Sequence, residues 1–227
     1  MPTILLIRHG QASFGGPDYD VLSELGIRQA EIVAAALRSR GVRADRVLSG
    51  AFRRQVDTAA AFTAGGGPAA EIDERWNEYD GNEVLLHHGD TAARIDGGAD
   101  TGSESISNRD FQIALDRALG DWIEKAEGSG SRQSWPSFAA GGSAALADLA
   151  AELGRGETAL VFTSGGVIAA ICAALLGAPE RAFVPLNRAQ VNTGVTKLVH
   201  GGSGTSLISV NDHSHLEAVD RAPVTYR

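Results

Sequence analysis

The chain has 227 residues, 43% of them hydrophobic, which is enough to fill one sizeable core and argues against a disordered chain. Twenty basic against 28 acidic residues leave a formal charge of -8, with no cluster of lysines or arginines dense enough to hold a nucleic-acid backbone. The first residues lack a secretory pattern and no apolar run approaches membrane-spanning length, so a soluble, cytoplasmic protein is expected.

In chain order, Ile4 to Ile7 is a short apolar run rich in β-branched residues, the pattern of a strand buried on both faces of a parallel sheet, and a catalytic loop can begin at Arg8. After a turn at Gly15, Gly16 and Pro17, Ser23 can cap a helix carrying Leu25, Ala30, Val33, Ala34 and Leu37 at helical spacing, which Gly41 ends. Val47 and Leu48 form a second short strand, followed by a helix from Arg54 to Phe62 that closes in Gly65 to Gly67. Ala159 to Thr163 reads as a third buried strand. Ser164-Gly165-Gly166 and an apolar helix from Val167 to Leu176 follow it, with Gly177 and Pro179 as stop signals. Val195 to Val199 and Leu207 to Val210, joined across Gly201-Gly202-Ser203-Gly204, form a hairpin. The lone cysteine, Cys172, can make neither a disulfide nor a cysteine-based metal site within the chain and reads as a small buried hydrophobe.

Between these units, residues of about 79 to 140 mix polar loops with a helical stretch from Asn108 to Ala126 and a Gly/Ser segment at Gly128 to Ser131. The expected architecture is a single domain over 1–227, a three-layer α/β/α sandwich with a mainly parallel sheet. Residues 79–140 would form a lid-like insertion over the carboxyl ends of the strands, where such sheets bind ligands.

Arg8-His9-Gly10 directly follows the first strand. Then come Leu22-Ser23-Glu24-Leu25-Gly26-Ile27-Arg28-Gln29-Ala30, Ser49 to Ala59 with Arg54 and Thr58-Ala59, Trp76-Asn77-Glu78-Tyr79-Asp80-Gly81, and Gly165-Gly166-Val167-Ile168. In order and spacing this series resembles the signature blocks of the histidine phosphatases related to phosphoglycerate mutase. The resemblance spans most of the chain and is weakest across the insertion. It implies an α/β fold, a nucleophile at His9, phosphate ligands at Arg8 and Arg54, and a general acid at Glu78.

The chemistry explains why these residue types belong together. A phosphate monoester carries close to two negative charges, which must be neutralised before a nucleophile approaches phosphorus, and arginine's planar fork bonds two oxygens at once. Taken alone, Arg54 reads equally as a surface arginine, as Arg53 beside it is expected to be, and Glu78 as a solvated loop carboxylate beside Asp80. His9 must be neutral to attack. Glu78 would protonate the leaving alcohol, with nearby phosphate charge raising its pKa.

One block departs from the pattern: where the family has His-Gly-Gly, this chain has Ser164-Gly165-Gly166. Losing a charged donor costs on the order of 3 kcal/mol in the transition state, of which a hydroxyl recovers about 1 kcal/mol. A slower enzyme follows, rather than an inactive one. Ser164 is open to three readings: a phosphate ligand alongside Gly165, a helix cap alone, or a bystander to another cation. His213 is the freer candidate for that cation, whereas His215 lies in an Asn-Asp-x-x-His-Leu ending that recurs in the family. His87-His88, with Asp90, form a weak metal candidate, because neighbours on an extended chain point opposite ways.

The expectation is therefore a phosphatase of small phosphate monoesters that needs no metal or cofactor. Its partner would be a small phosphorylated substrate, with no nucleic acid or membrane, and a homodimer is left open. A phosphoglycerate-type mutase is disfavoured, since nothing shows the closed, water-excluding site it needs. The runner-up is a phospholigand-binding protein with little turnover. The non-phosphate part of the substrate is assigned to Ser13 to Pro17 and the insertion, with an aromatic lining from Phe14, Trp122 or Trp135.

Overall fold

The computed structural model describes residues 1–13, 20–89, 108–125, 131–219 and 224–226, which divide into two compact units, 1–78 with 141–227, and 79–140. The elements are β1 (Thr3–Arg8), α1 (Glu24–Ser39), β2 (Arg46–Ser49), α2 (Arg53–Thr63), β3 (Ala70–Ile72), α3 (Gly81–His88), α4 (Asn108–Lys125), α5 (Trp135–Glu152), β4 (Thr158–Thr163), α6 (Gly165–Leu175), α7 (Pro179–Ala189), β5 (Val195–Gly201), β6 (Gly204–Asp212) and α8 (Ser214–Glu217).

Among the described residues the sheet has six strands in the order β3-β2-β4-β1-β5-β6. β3, β2, β4 and β1 run parallel, and β5 and β6 add an antiparallel edge. This is the mainly parallel sheet that the alternating strands and helices predict. Leu5, Ile7, Val47, Leu160 and Phe162 meet Val33, Ala34 and Leu37 of α1 and Ala59 and Phe62 of α2 in one core. The two-residue period turns Ile4 and Leu6 to the opposite face, the side taken by α6. Every residue of α6 from Gly165 to Ala173 is buried, as a helix apolar all round must be. α5 covers it so closely that a Cβ on Gly142 would lie 3.4 Å from Val167.

Local chemistry sets the ends of α1. The Ser23 hydroxyl accepts the Gly26 N–H at 3.0 Å, and Gly41, at φ 73°, takes the left-handed turn that releases the chain. Other boundaries differ from the sequence expectation. α6 starts at Gly165 because two small residues enter the helix without strain, and Pro179, read as a stop, is also the first residue of α7. β3, α3, α5 and α7 were not anticipated: β3 is a three-residue edge with Ile72 exposed, and α5 is dominated by alanine and glycine. The turn at Gly15 to Pro17, together with Phe14 and Gly128 to Gly130, lies outside the described residues.

The smaller unit has its own core, in which Tyr79, Trp122, Trp135 and Phe138 stack with ring centroids 5.5–6.2 Å apart. Trp122 and Trp135 are buried there, which corrects their assignment as substrate lining: large aromatic rings supply the apolar area a small unit needs. His87-His88 lie on helix α3, not on an extended chain, and His88 is buried with Nδ1 2.9 Å from Asp121 Oδ2. Asp90 is outside the described residues.

Candidate active site

β1 and β4 pair with Arg8 opposite Thr163, so the next residues, His9 and Ser164, leave the sheet side by side. The His9 N–H extends the ladder by one bond, to the Thr163 carbonyl at 2.9 Å. The loop then runs hard against the first turn of α1: a Cβ on Gly10 would sit 2.3 Å from the Gly26 oxygen, and one on Gly26 would sit 2.0 Å from the Gln11 oxygen. Only glycine fits either position. The Gly10 N–H donates to Thr58 Oγ1 at 3.1 Å, the Gln11 N–H to Gln29 Oε1 at 2.8 Å, and Asn192 Nδ2 to the His9 carbonyl at 3.1 Å.

The His9 ring is buried, with Nδ1 2.7 Å from the Gly10 carbonyl. A carbonyl only accepts, so Nδ1 carries the proton and Nε2 holds the lone pair. Arg54 Nε donates to that Nε2 at 3.2 Å. Burial first, and then the charges of Arg54 and Arg8, hold the ring well below the usual histidine pKa of 6.5, against a smaller opposing effect of the Gly10 carbonyl. The ring is therefore neutral at neutral pH.

Arg54, in the first turn of α2, is buried, and its Nη1 donates to Asp20 Oδ1 at 2.5 Å. The other Asp20 oxygen accepts the Arg53 N–H at 2.7 Å, so one carboxylate both caps α2 and aims Arg54. The Arg53 side chain is exposed and pairs with Asp57 at 3.6 Å, the surface role its sequence context suggested. Arg8 Nη1 donates to the carbonyls of Gln190 at 2.5 Å and Tyr226 at 2.7 Å. Its guanidinium lies against the start of α6, where a Cβ on Gly165 would be 3.4 Å from Arg8 Nε.

Ser164 occupies the N-cap position of α6 with extended backbone, yet its hydroxyl makes no capping bond. That corrects the reading of Ser164 as a helix cap. The buried hydroxyl instead accepts from Gln55 Nε2 at 2.8 Å; the same amide nitrogen reaches the Trp76 carbonyl at 3.0 Å, and its oxygen accepts the Phe52 N–H at 3.2 Å. The helix N-terminus is served by Glu78, whose Oε2 accepts the Gly166 N–H at 3.0 Å. A side-chain oxygen acceptor is needed there because the first N–H groups of a helix have no partner within the helix. Thus Arg8, His9, Arg54, Ser164, Gly165 and Glu78 all gather at the carboxyl end of the parallel strands.

His213 and His215 are engaged within the fold. His215 is buried, with Nε2 3.1 Å from Thr193 Oγ1, and burial lowers its pKa to about 4, so it is neutral scaffold. His213 contacts the Asn211 carbonyl at 2.7 Å and Glu217 at 3.6 Å. Among the described residues no group of three or more His, Cys, Asp or Glu side chains is placed to hold a metal ion, and no helix is long and apolar enough to cross a membrane. Cys172 is buried and its thiol is pushed up to about 12 by desolvation.

Asp20, Gln55 and Asn192 were not anticipated from the sequence. Gln55 carries a local signal, since glutamine three residues after a helix N-cap commonly reaches back to it. Asp20 and Asn192 carry none, because their partners are distant in sequence.

The fold and site together define a class: an α/β sheet with a neutral histidine at the end of its first strand, flanked by two arginines. The sequence profile of the histidine phosphatase superfamily (branch 1) matches residues 4–213, and the chain belongs to that family. Solved structures share the fold. A mutant of phosphoserine phosphatase from Entamoeba histolytica, in complex with phosphoserine, is 19% identical with a TM-score of 0.68, over 95% of this chain and 100% of that one. Mycobacterial glucosyl-3-phosphoglycerate phosphatase complexed with VO3 is 25% identical with a TM-score of 0.64, over 92% and 98%. Bacillus stearothermophilus YhfR is 22% identical with a TM-score of 0.67, over 95% and 99%. No curated protein matches the chain significantly.

Proposed function

We propose that the protein hydrolyses small phosphate monoesters through a phosphohistidine at His9. The observation that carries this reading is the His9 ring itself: Nδ1–H is fixed on the Gly10 carbonyl, Nε2 is unprotonated, and a guanidinium stands 3.2 Å away to meet phosphate oxygens. In the first step Nε2 bonds to phosphorus while the P–O ester bond breaks, and the leaving oxygen takes a proton from Glu78. In the second, Glu78 takes a proton from water, the water oxygen bonds to phosphorus and the P–N bond breaks, releasing phosphate. Arg8 and Arg54 neutralise the oxygens in both steps, and Ser164 and Gly165 complete the phosphate contacts.

The substrates named for the similar structures, phosphoserine and glucosyl-3-phosphoglycerate, are both small phosphate monoesters, which supports the substrate class. The test is hydrolysis of an aryl phosphate across pH 4 to 8 beside His9→Ala; turnover no greater than that variant's would refute the reading. A second reading, phosphate binding with little turnover, is favoured by the Ser164 hydroxyl already serving Gln55. Measurable phosphate binding without hydrolysis would select it.

A further inference from the structure

A segment remote in sequence reaches the catalytic loop. The Thr225 hydroxyl accepts from Gln29 Nε2 at 2.7 Å and donates to Asn192 Oδ1 at 2.9 Å, and the Thr225 carbonyl accepts the Asn192 N–H at 2.8 Å. Both amides turn their other ends toward the nucleophile: Gln29 Oε1 accepts the Gln11 N–H at 2.8 Å, and Asn192 Nδ2 donates to the His9 carbonyl at 3.1 Å. Gln29 and Asn192 are fully buried, so water cannot stand in for a lost partner.

These contacts fix what the bridging group must be. The Gln29 oxygen faces an N–H, so its nitrogen needs an acceptor on the far side; the Asn192 nitrogen faces a carbonyl, so its oxygen needs a donor. A hydroxyl supplies both at once, with one proton and two lone pairs. The residue after it adds a third tie, because the Tyr226 carbonyl accepts from Arg8 Nη1 at 2.7 Å.

We propose that Thr225 is a positioning residue for the reaction: its hydroxyl locks the two amides that hold the loop leaving the nucleophile, at the His9 carbonyl and at the Gln11 N–H, while the Tyr226 carbonyl steadies Arg8. The inference rests on His9 being that nucleophile. A valine has the same shape and removes the hydroxyl bond to each amide; a serine keeps the hydroxyl.

The experiment uses Thr225→Val and Thr225→Ser in the full chain, with kcat and KM for an aryl phosphate, melting temperature, and the His9 ring resonances by 15N NMR. Valine is expected to lower kcat about tenfold, the order expected for a misplaced reacting group, with KM held within about twofold. It should also shift the His9 ring signals, and serine should restore both. Unchanged kcat and ring signals in the valine variant, or a serine variant as impaired as valine, would overturn the proposal, as would activity lost only in proportion to unfolded protein. A wild-type protein without turnover would refute the phosphatase reading instead; the ring signals then decide, support coming from a shift with valine that serine reverses and refutation from no shift.

Discussion

Arg54 Nε and His9 Nε2 share a hydrogen bond of 3.2 Å, so the lone pair proposed to attack phosphorus is held by the cation proposed to bind phosphate. Phosphate binding at this site would draw Arg54 away and so uncover the ring. Arg54 also depresses the His9 pKa, though less than burial does. Replacing it by glutamine is expected to raise the His9 pKa toward 6.5 without reaching it, because desolvation persists. An NMR titration of the ring measures this, and a pKa identical to wild type would count against the electrostatic account.

What the sequence made legible follows from range of contact. Ile4 to Ile7 and Ala159 to Thr163 are β-branched apolar runs buried on both faces, so their strands and the loops after them are readable from composition alone. The Gln55–Ser164 bond spans 109 residues and the Gln29–Thr225 bond 196, and no local pattern encodes such pairings. Trp122 and Trp135 were misassigned for a related reason: a large aromatic reads equally as lining or as core until its neighbours are known.

The Glu78 side chain accepts from Gly166, a bond that glutamine's carbonyl can keep. Glu78→Gln therefore removes the proton while leaving the helix N-terminus served. An alkyl phosphate, whose leaving oxygen needs that proton, is expected to lose about 10²- to 10³-fold in kcat/KM. A nitrophenyl phosphate should lose far less. Equal losses for both substrates would show that Glu78 does not act as the acid.

Ser164 is fully buried and tied to Gln55, so a histidine there must displace packed neighbours. Ser164→His is expected to cost about 1–3 kcal/mol of stability, lowering the melting temperature by roughly 2–10 °C. It would also add a donor able to carry charge, and kcat is expected to rise by about tenfold, part of what such a donor contributes. A fall in kcat in the folded variant would mean that the site is built around serine.

His215 sets an acid limit on stability. Its folded-state pKa of about 4 lies below the ordinary 6.5, so between those values the unfolded chain binds more protons. The stabilisation is complete above pH 6.5 and is lost as pH falls through 4, a total of about 3 kcal/mol. Denaturant unfolding between pH 4 and 7 should show this slope, and His215→Gln should flatten it. Parallel slopes for the two proteins would assign the acid sensitivity elsewhere.

Turnover through His9 requires a transient bond between phosphorus and Nε2. Rapid mixing with a phosphate monoester, an alkaline quench that preserves phosphohistidine, and mass spectrometry of the peptides should find one phosphoryl group on His9, absent from His9→Ala. Turnover in the wild-type protein without that adduct, or an adduct on any other residue, would contradict it.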